Sequence, residues 1–260
     1  MERNPQPGYC SRVVALVLVM LAPLAGLMLL HDSPIRQDQA YHAYADARTF
    51  LGVQSFANIA SNALFLLCGA AGLRWCHRHP DCGARCAWQV FFAGVALVFL
   101  GSAYYHAAPA DHSLAWDRLP MAVAFMALFS ALLSEHLDNL REILLLVAAV
   151  LTGIASVFWW RYSGDLRLYI WVQGAPLLAI PYLVAAFPAR YTHRHYLLYG
   201  FGLYVLAKIA EFHDHQTYTL TAGLVSGHTL KHLLAGSAVF CIYRMLQQRR
   251  QSLTPVASSQ

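Results

Sequence analysis

Ser226-Gly227-His228-Thr229-Leu230-Lys231-His232-Leu233-Leu234-Ala235-Gly236-Ser237-Ala238-Val239-Phe240-Cys241-Ile242-Tyr243-Arg244-Met245-Leu246 joins two features that rarely share a segment. From His228 onward it is long enough to cross a bilayer as a helix, since the hydrocarbon core is about 30 Å thick and each helical residue rises about 1.5 Å. Yet it opens on two imidazoles and an ammonium, and on insertion scales the Lys231 charge alone costs at least ~2.5 kcal/mol at the centre of a membrane. A segment that is apolar by length and ionisable at one end predicts a membrane helix that carries chemistry at its boundary.

Seven further stretches have the same length and apolarity: Val13 to Leu30, Phe56 to Leu73, Ala87 to Tyr105, Leu119 to Leu133, Ile143 to Trp160, Leu168 to Phe187 and Tyr196 to Ala210. The whole chain of 260 residues is 58% hydrophobic and 12% charged, about half the charge of a soluble domain, with a mean hydropathy of +0.45. These figures exclude a soluble globule, a disordered chain and a disulfide-stapled secreted domain. The expected fold is all-α: a polytopic membrane bundle of eight spans, seven forming a core and the first added to it. Residues 1–45 are expected to hold a cytoplasmic stub, an anchor helix and an external loop, 46–247 the core, and 248–260 a disordered cytoplasmic tail.

The net charge of +5 does not point to nucleic acid, because the basic residues sit in short runs between apolar segments, where they orient helices. One side receives eleven arginines, from Arg3 and Arg12 to Arg249 and Arg250; the other receives five, Arg36, Arg48, Arg118, Arg161 and Arg167. That split, with an even number of spans, puts both termini in the cytoplasm. The first span is read as a retained anchor, since its apolar run is long for a signal peptide. The six cysteines fall on the cytoplasmic side or within spans and are read as reduced thiols. The loop Cys76-His77-Arg78-His79 with Cys82 and Cys86 matches no standard zinc spacing and is read as a basic connection.

The remaining ionisable groups gather at the non-cytoplasmic ends of three spans. His228 and His232 are four apart, so both imidazoles share one helical face within reach of a single ion. Ser102 and His106 have the same spacing at the matching end of another span, and Asp117 opens the next. His106, His228 and His232 would supply a three-nitrogen Zn2+ site with a fourth position free, the arrangement of hydrolytic zinc. Asp117 is then the general base and acid, and Ser102 a donor to the water or the developing oxyanion. A polar cluster that merely joins helices is the alternative at this point. Lys208 and Glu211, three apart, read as a structural ion pair, His213, Asp214 and His215 as a polar loop, and Trp159, Trp160, Tyr169 and Trp171 as an interfacial belt.

At these residues the chain resembles the alkaline ceramidase family, within the CREST superfamily of seven-span membrane hydrolases. The resemblance rests on Ser102-x-x-x-His106, Asp117 and His228-x-x-x-His232, together with Phe56-x-Asn58-x-x-Ser61-Asn62 in the first core span. It runs from Asp46 to about Arg244 and implies His106, His228 and His232 as zinc ligands, Asp117 as proton shuttle and Ser102 as the oxyanion or water-positioning group. Asp46-Ala47-Arg48 and Ala207-Lys208-Ile209-Ala210-Glu211 resemble bacterial members, which implies a bacterial inner membrane with the site near the periplasm. Ser55 stands where the eukaryotic calcium motif has a Glu, so no calcium site is expected. Leu230-Lys231 replaces the aromatic pair those enzymes carry between the two histidines.

The activity expected is zinc-dependent hydrolysis of the N-acyl amide of a ceramide-like membrane lipid to a fatty acid and a long-chain amine. No obligate protein partner is implied. An acyl-ester hydrolase, or a zinc-stabilised receptor or sensor, uses the same residues. A transporter is disfavoured, because the polar residues cluster at one side and no inverted repeat is evident.

Overall fold

The computed structural model describes residues 8–30, 32–137, 141–188 and 190–252. Among them all extended regular structure is helical, arranged as α1 (Tyr9–Leu30), α2 (Phe56–Ser61), α3 (Ala63–Arg78), α4 (Arg85–Ala107), α5 (Asp111–His136), α6 (Glu142–Ser163), α7 (Arg167–Ala186), α8 (His195–Phe212), α9 (Asp214–Leu220) and α10 (Gly227–Gln248). Among the described residues six spans are long and apolar enough to cross a membrane: α1, α2 with α3 as one unit, α4, α5, α6 and α7. The sequence led us to expect eight. The other two, α8 and α10, have 18 and 22 residues but carry Lys208, Glu211, His228, Lys231 and His232. Part of that charge is paired inside the bundle, since Lys231 Nζ lies 2.8 Å from Glu211 Oε1 across the α8–α10 contact.

α4 packs along α3 and α5, α10 along α8 and α3, and α1 only against α7. α1 is thus peripheral, held by Trp171 Nε1 donating to the Met20 carbonyl at 2.7 Å and Tyr182 Oη to the Arg12 carbonyl at 3.1 Å. Two glycines set the close approaches that matter for the site. A Cβ on Gly101 would overlap the Trp116 carbonyl of α5, and one on Gly227 the Ala210 carbonyl of α8. Without side chains there, Ser102 comes beside Asp117 and the start of α10 seats against the end of α8.

The break between α2 and α3 is written in side chains. In an uninterrupted helix the Asn58 carbonyl would accept from the Asn62 N–H; here it accepts from the Ser61 hydroxyl at 3.0 Å and the Asn62 amide at 2.6 Å. Such short polar side chains compete with the helix for its own carbonyls. The Asn62 N–H turns to the Ile59 carbonyl at 3.2 Å instead.

Three expectations change. Residues 248–252, assigned to a disordered tail, dock on the bundle: the Arg249 side chain is 4% exposed, makes two 2.7 Å contacts with the Glu135 carboxylate and stacks on Trp88 and Tyr191. Residues 253–260 lie outside the described residues. Asp214 and His215 begin the short helix α9, not a loop. Trp160 and Tyr169 are not interfacial; both are buried, with the Arg118 guanidinium carbon 4.2 and 4.7 Å from their ring centroids. A belt aromatic and a cation-holding aromatic occupy the same place in sequence, at the end of an apolar run, so only packing separates them.

Candidate metal centre

The C-terminal end of α4 and the N-terminal ends of α2, α5 and α10 meet at one end of the bundle, and His106, His228 and His232 converge there. All three are buried, and one nitrogen from each lies within 4.8 Å of the others. His106 Nε2 and His228 Nε2 are 3.2 Å apart, close to the ~3.3 Å that two nitrogens on one tetrahedral zinc would show from Zn–N bonds of about 2.0–2.1 Å.

The surroundings fit a cation. His232 Nδ1 lies 2.9 Å from Ser61 Oγ, and that hydroxyl already donates to Asn58. With Ser61 accepting from an Nδ1–H, as its shorter contact favours over the 3.3 Å approach of Asn62 Nδ2, the Nε2 lone pair of His232 is left for a metal, as ligating imidazoles require. Asn58 Oδ1 accepts from Thr229 Oγ1 at 2.9 Å, one turn before His232, tying α2 to α10. His106 turns its Nε2 to His228 Nε2, while its Nδ1 is buried with no hydrogen-bond partner among the described residues. Two imidazole nitrogens buried face to face cost free energy unless their lone pairs are taken up, and an ion at the centre of the triad would take up both. His228 is fixed through its main chain, where its N–H donates to Asp214 Oδ1 at 2.7 Å. A carboxylate at the start of α10 also complements the helix dipole.

A strap covers this end. Between α1 and α2, Tyr44 lays its ring over His106 and His228, with centroids 4.7 and 4.4 Å away. Tyr41 Oη donates to Glu211 Oε1 at 2.9 Å, Arg118 Nη2 to Gln37 Oε1 at 2.6 Å, and the Ala45 N–H to Asp214 Oδ2 at 2.9 Å. His42 links Asp111, at 3.0 Å, to Tyr105, at 2.8 Å. Asp46 is buried and held by the Arg48 guanidinium at 2.6 and 2.9 Å, and that hydrogen bonding keeps its carboxyl below the usual carboxylate range.

Asp117 is 6% exposed, and Ser102 stands beside it where α4 and α5 meet at Gly101. Both, with His232 and Lys231, line the polar end of a cavity of about 470 Å³, within the ~300–1,000 Å³ of small-molecule sites. Its wall on α4 runs Phe91, Val95, Val98, Ser102, eleven residues, or about 16 Å of helix. Apart from the polar end the lining is overwhelmingly apolar.

The family model described as Ceramidase matches residues 52–255. The chain belongs to the Ceramidase family. That membership supports ceramide-hydrolysing activity and a lipid substrate, and with the spanning helices it makes this an integral membrane protein. No curated protein matches the chain. The match includes all five residues singled out by spacing and leaves out most of the strap, Tyr41 and Tyr44 among it.

Sequence reasoning assigned no role to Tyr44 or Asp214 at the triad. It had Asn58, Ser61 and Asn62 only as a motif; their signal was a run of short polar residues inside an apolar span, which costs too much unless partnered. Replacing Ser61 by Ala should weaken zinc binding about 10- to 100-fold, the usual effect of removing a group that orients a ligand. Zinc competition against a chelator of known affinity checks this, and unchanged affinity would assign the His232 tautomer to other contacts.

Proposed function

We propose that this protein is a zinc-dependent amidohydrolase that cleaves the N-acyl bond of a ceramide-like lipid within the membrane. One observation carries the reading: His232 and Asp117 line the polar head of a deep apolar cavity, and the buried imidazoles of His106 and His228 converge on His232 there. His106, His228 and His232 would hold the zinc. When bound, it would polarise the amide carbonyl and lower the pKa of water at the site from 15.7 to about 7.

The chain's own groups supply the rest. The apolar wall from Phe91 to Val98 takes the acyl chain and leaves the amide at the Ser102–Asp117 level. Asp117 takes a proton from the attacking water and delivers it to the amide nitrogen. The water oxygen bonds to the carbonyl carbon, the C–N bond breaks, and a fatty acid and an amine result. Ser102 holds the Asp117 carboxylate in place while it accepts and returns the proton. Tyr41, Tyr44 and their strap close the aqueous side, which keeps bulk water from the reacting groups.

The substrate class follows from the same closure. α7 and α8 both line the cavity, through Leu177 and Tyr204 among others, and touch each other little. A lipid would enter between them from the bilayer with its chains still in apolar surroundings. The arginine split supports a site on the non-cytoplasmic side, the periplasmic face if the membrane is a bacterial inner membrane. The unit that would do this work is the core from residue 46 onward together with the strap that precedes it, with α1 as an anchor beside it.

The test is zinc content and fatty-acid release on one detergent-purified sample, with ceramide, an acyl ester of matched chain length and a phospholipid as substrates. We expect about one zinc per chain and release from the amide. Release only from the ester would change the bond assigned. Zinc with no release from any lipid would favour a receptor stabilised by the metal.

A further inference from the structure

Amide hydrolysis places growing negative charge on the carbonyl oxygen, and a donor fixed beside it is worth far more in a dry site than in water. Ser102, the residue whose spacing suggested that role, is a neutral hydroxyl beside Asp117. Lys231 stands where such a donor is needed. It sits between the two α10 histidines, its side chain is 13% exposed, and it lines the cavity beside His232 and Asp117. Its Nζ is 3.5 Å from His228 Nε2, one of the triad nitrogens, and 2.8 Å from Glu211 Oε1.

The ammonium is held from several directions. Glu211 also accepts from Tyr41 Oη of the strap and pairs with Lys208, so strap, α8 and α10 all fix the carboxylate that fixes Lys231. An ammonium has three N–H donors, and one contact to Glu211 leaves others for the cavity. Stability does not explain the arrangement, because a buried ion pair is commonly no more stable than well-packed apolar residues in its place.

We propose that Lys231 is a catalytic residue of the hydrolase reading above, donating a hydrogen bond to the amide carbonyl oxygen, with Glu211 and Tyr41 as positioning residues. The bond strengthens as the oxygen becomes anionic and persists on the carboxylate of the released fatty acid. Lys231 keeps its proton throughout: water oxygen joins carbon, nitrogen leaves, and the proton passes through Asp117. The reaction thus draws on two opposite groups, a carboxylate that moves a proton and an ammonium that does not.

The test compares zinc-loaded full-length wild type, Lys231→Met, Lys231→Arg and Glu211→Gln. Each is assayed for zinc content, kcat and KM on an amide lipid, and binding of laurate as a carboxylate probe. Lys231→Met should keep its zinc, lose kcat about 10²- to 10³-fold with little change in KM, and bind laurate about tenfold or more weakly. Lys231→Arg should recover part of both losses. Near-normal kcat in Lys231→Met, or zinc lost together with activity, would overturn the proposal and leave Lys231 as support for the triad. If Lys231→Met does not fold, Glu211→Gln decides: lowered kcat and laurate affinity with zinc intact uphold it, and unaltered values overturn it. A wild type that cleaves no amide would defeat the hydrolase reading alone, since the laurate comparison still shows whether Lys231 receives a carboxylate.

Discussion

Replacing His228 by Ala should remove zinc and turnover together while the bundle stays assembled. The imidazole is the central member of the triad, with its Nε2 3.2 Å from that of His106 and its ring 4.7 Å from that of His232. Its backbone has a separate job, donating to Asp214, and Ala keeps that N–H and favours the helix. The start of α10 therefore stays capped by Asp214 and by Ser226 Oγ, which accepts from the Thr229 N–H at 3.0 Å. What is lost is the ligand. Lewis-acid catalysis is worth several kcal/mol, so about 4 kcal/mol gives a loss of about 10³-fold or more in kcat/KM. Elemental analysis, fatty-acid release and a thermal melt on one preparation check all three parts. Turnover surviving in the zinc-free variant would exclude metal chemistry at this site.

Four of the five site residues sit at intervals that helical geometry makes readable. His228 and His232 share a face because they are four apart, and Ser102 with His106 for the same reason; chain order alone then places Asp117 at the same end. Residues brought in by irregular backbone were not readable. Tyr41 and Tyr44 belong to a segment with no period, and their partners lie far away in sequence, at Glu211 and at His228. Arg118 shows the limit from another side. By charge it counted among the loop arginines that orient helices, whereas it is 7% exposed and stacked on Trp160 and Tyr169. An arginine at a span end has the same sequence signature whether it faces headgroups or aromatic rings. Arg249 repeats the point: next to Arg250 it read as tail, yet a buried Glu135 sits 114 residues before it in the chain.

The apolarity rule met its boundary at α8 and α10. A segment scores as a span by averaging, and averaging penalises the very charges that pair across a helix contact. Lys231 and Glu211 offset each other inside the bundle, so their cost is not paid to lipid. The helices least like membrane spans by composition are therefore the two that supply His228, His232, Lys231 and Glu211.

Asp117→Asn should keep zinc and lose turnover, which separates proton transfer from metal binding. The amide has the shape of the carboxylate, and Asp117 is not one of the three converging ligands. An Asn side chain cannot take a proton from water and return it to nitrogen. General acid–base catalysis contributes typically 10²- to 10⁴-fold, and the drop in kcat should fall in that range with zinc content at the wild-type level. The substitution also removes a negative charge near Lys231, Arg118 and Glu211, which all act on Asp117 electrostatically. Some stability could be lost through that route, so the diagnostic is the substrate and not the fold. An ester with a good leaving group needs no proton delivered to nitrogen, so Asp117→Asn should hydrolyse it with a much smaller deficit than it shows on the amide. Equal deficits on both substrates would place Asp117 in water activation alone, and loss of zinc would make it a member of the metal site.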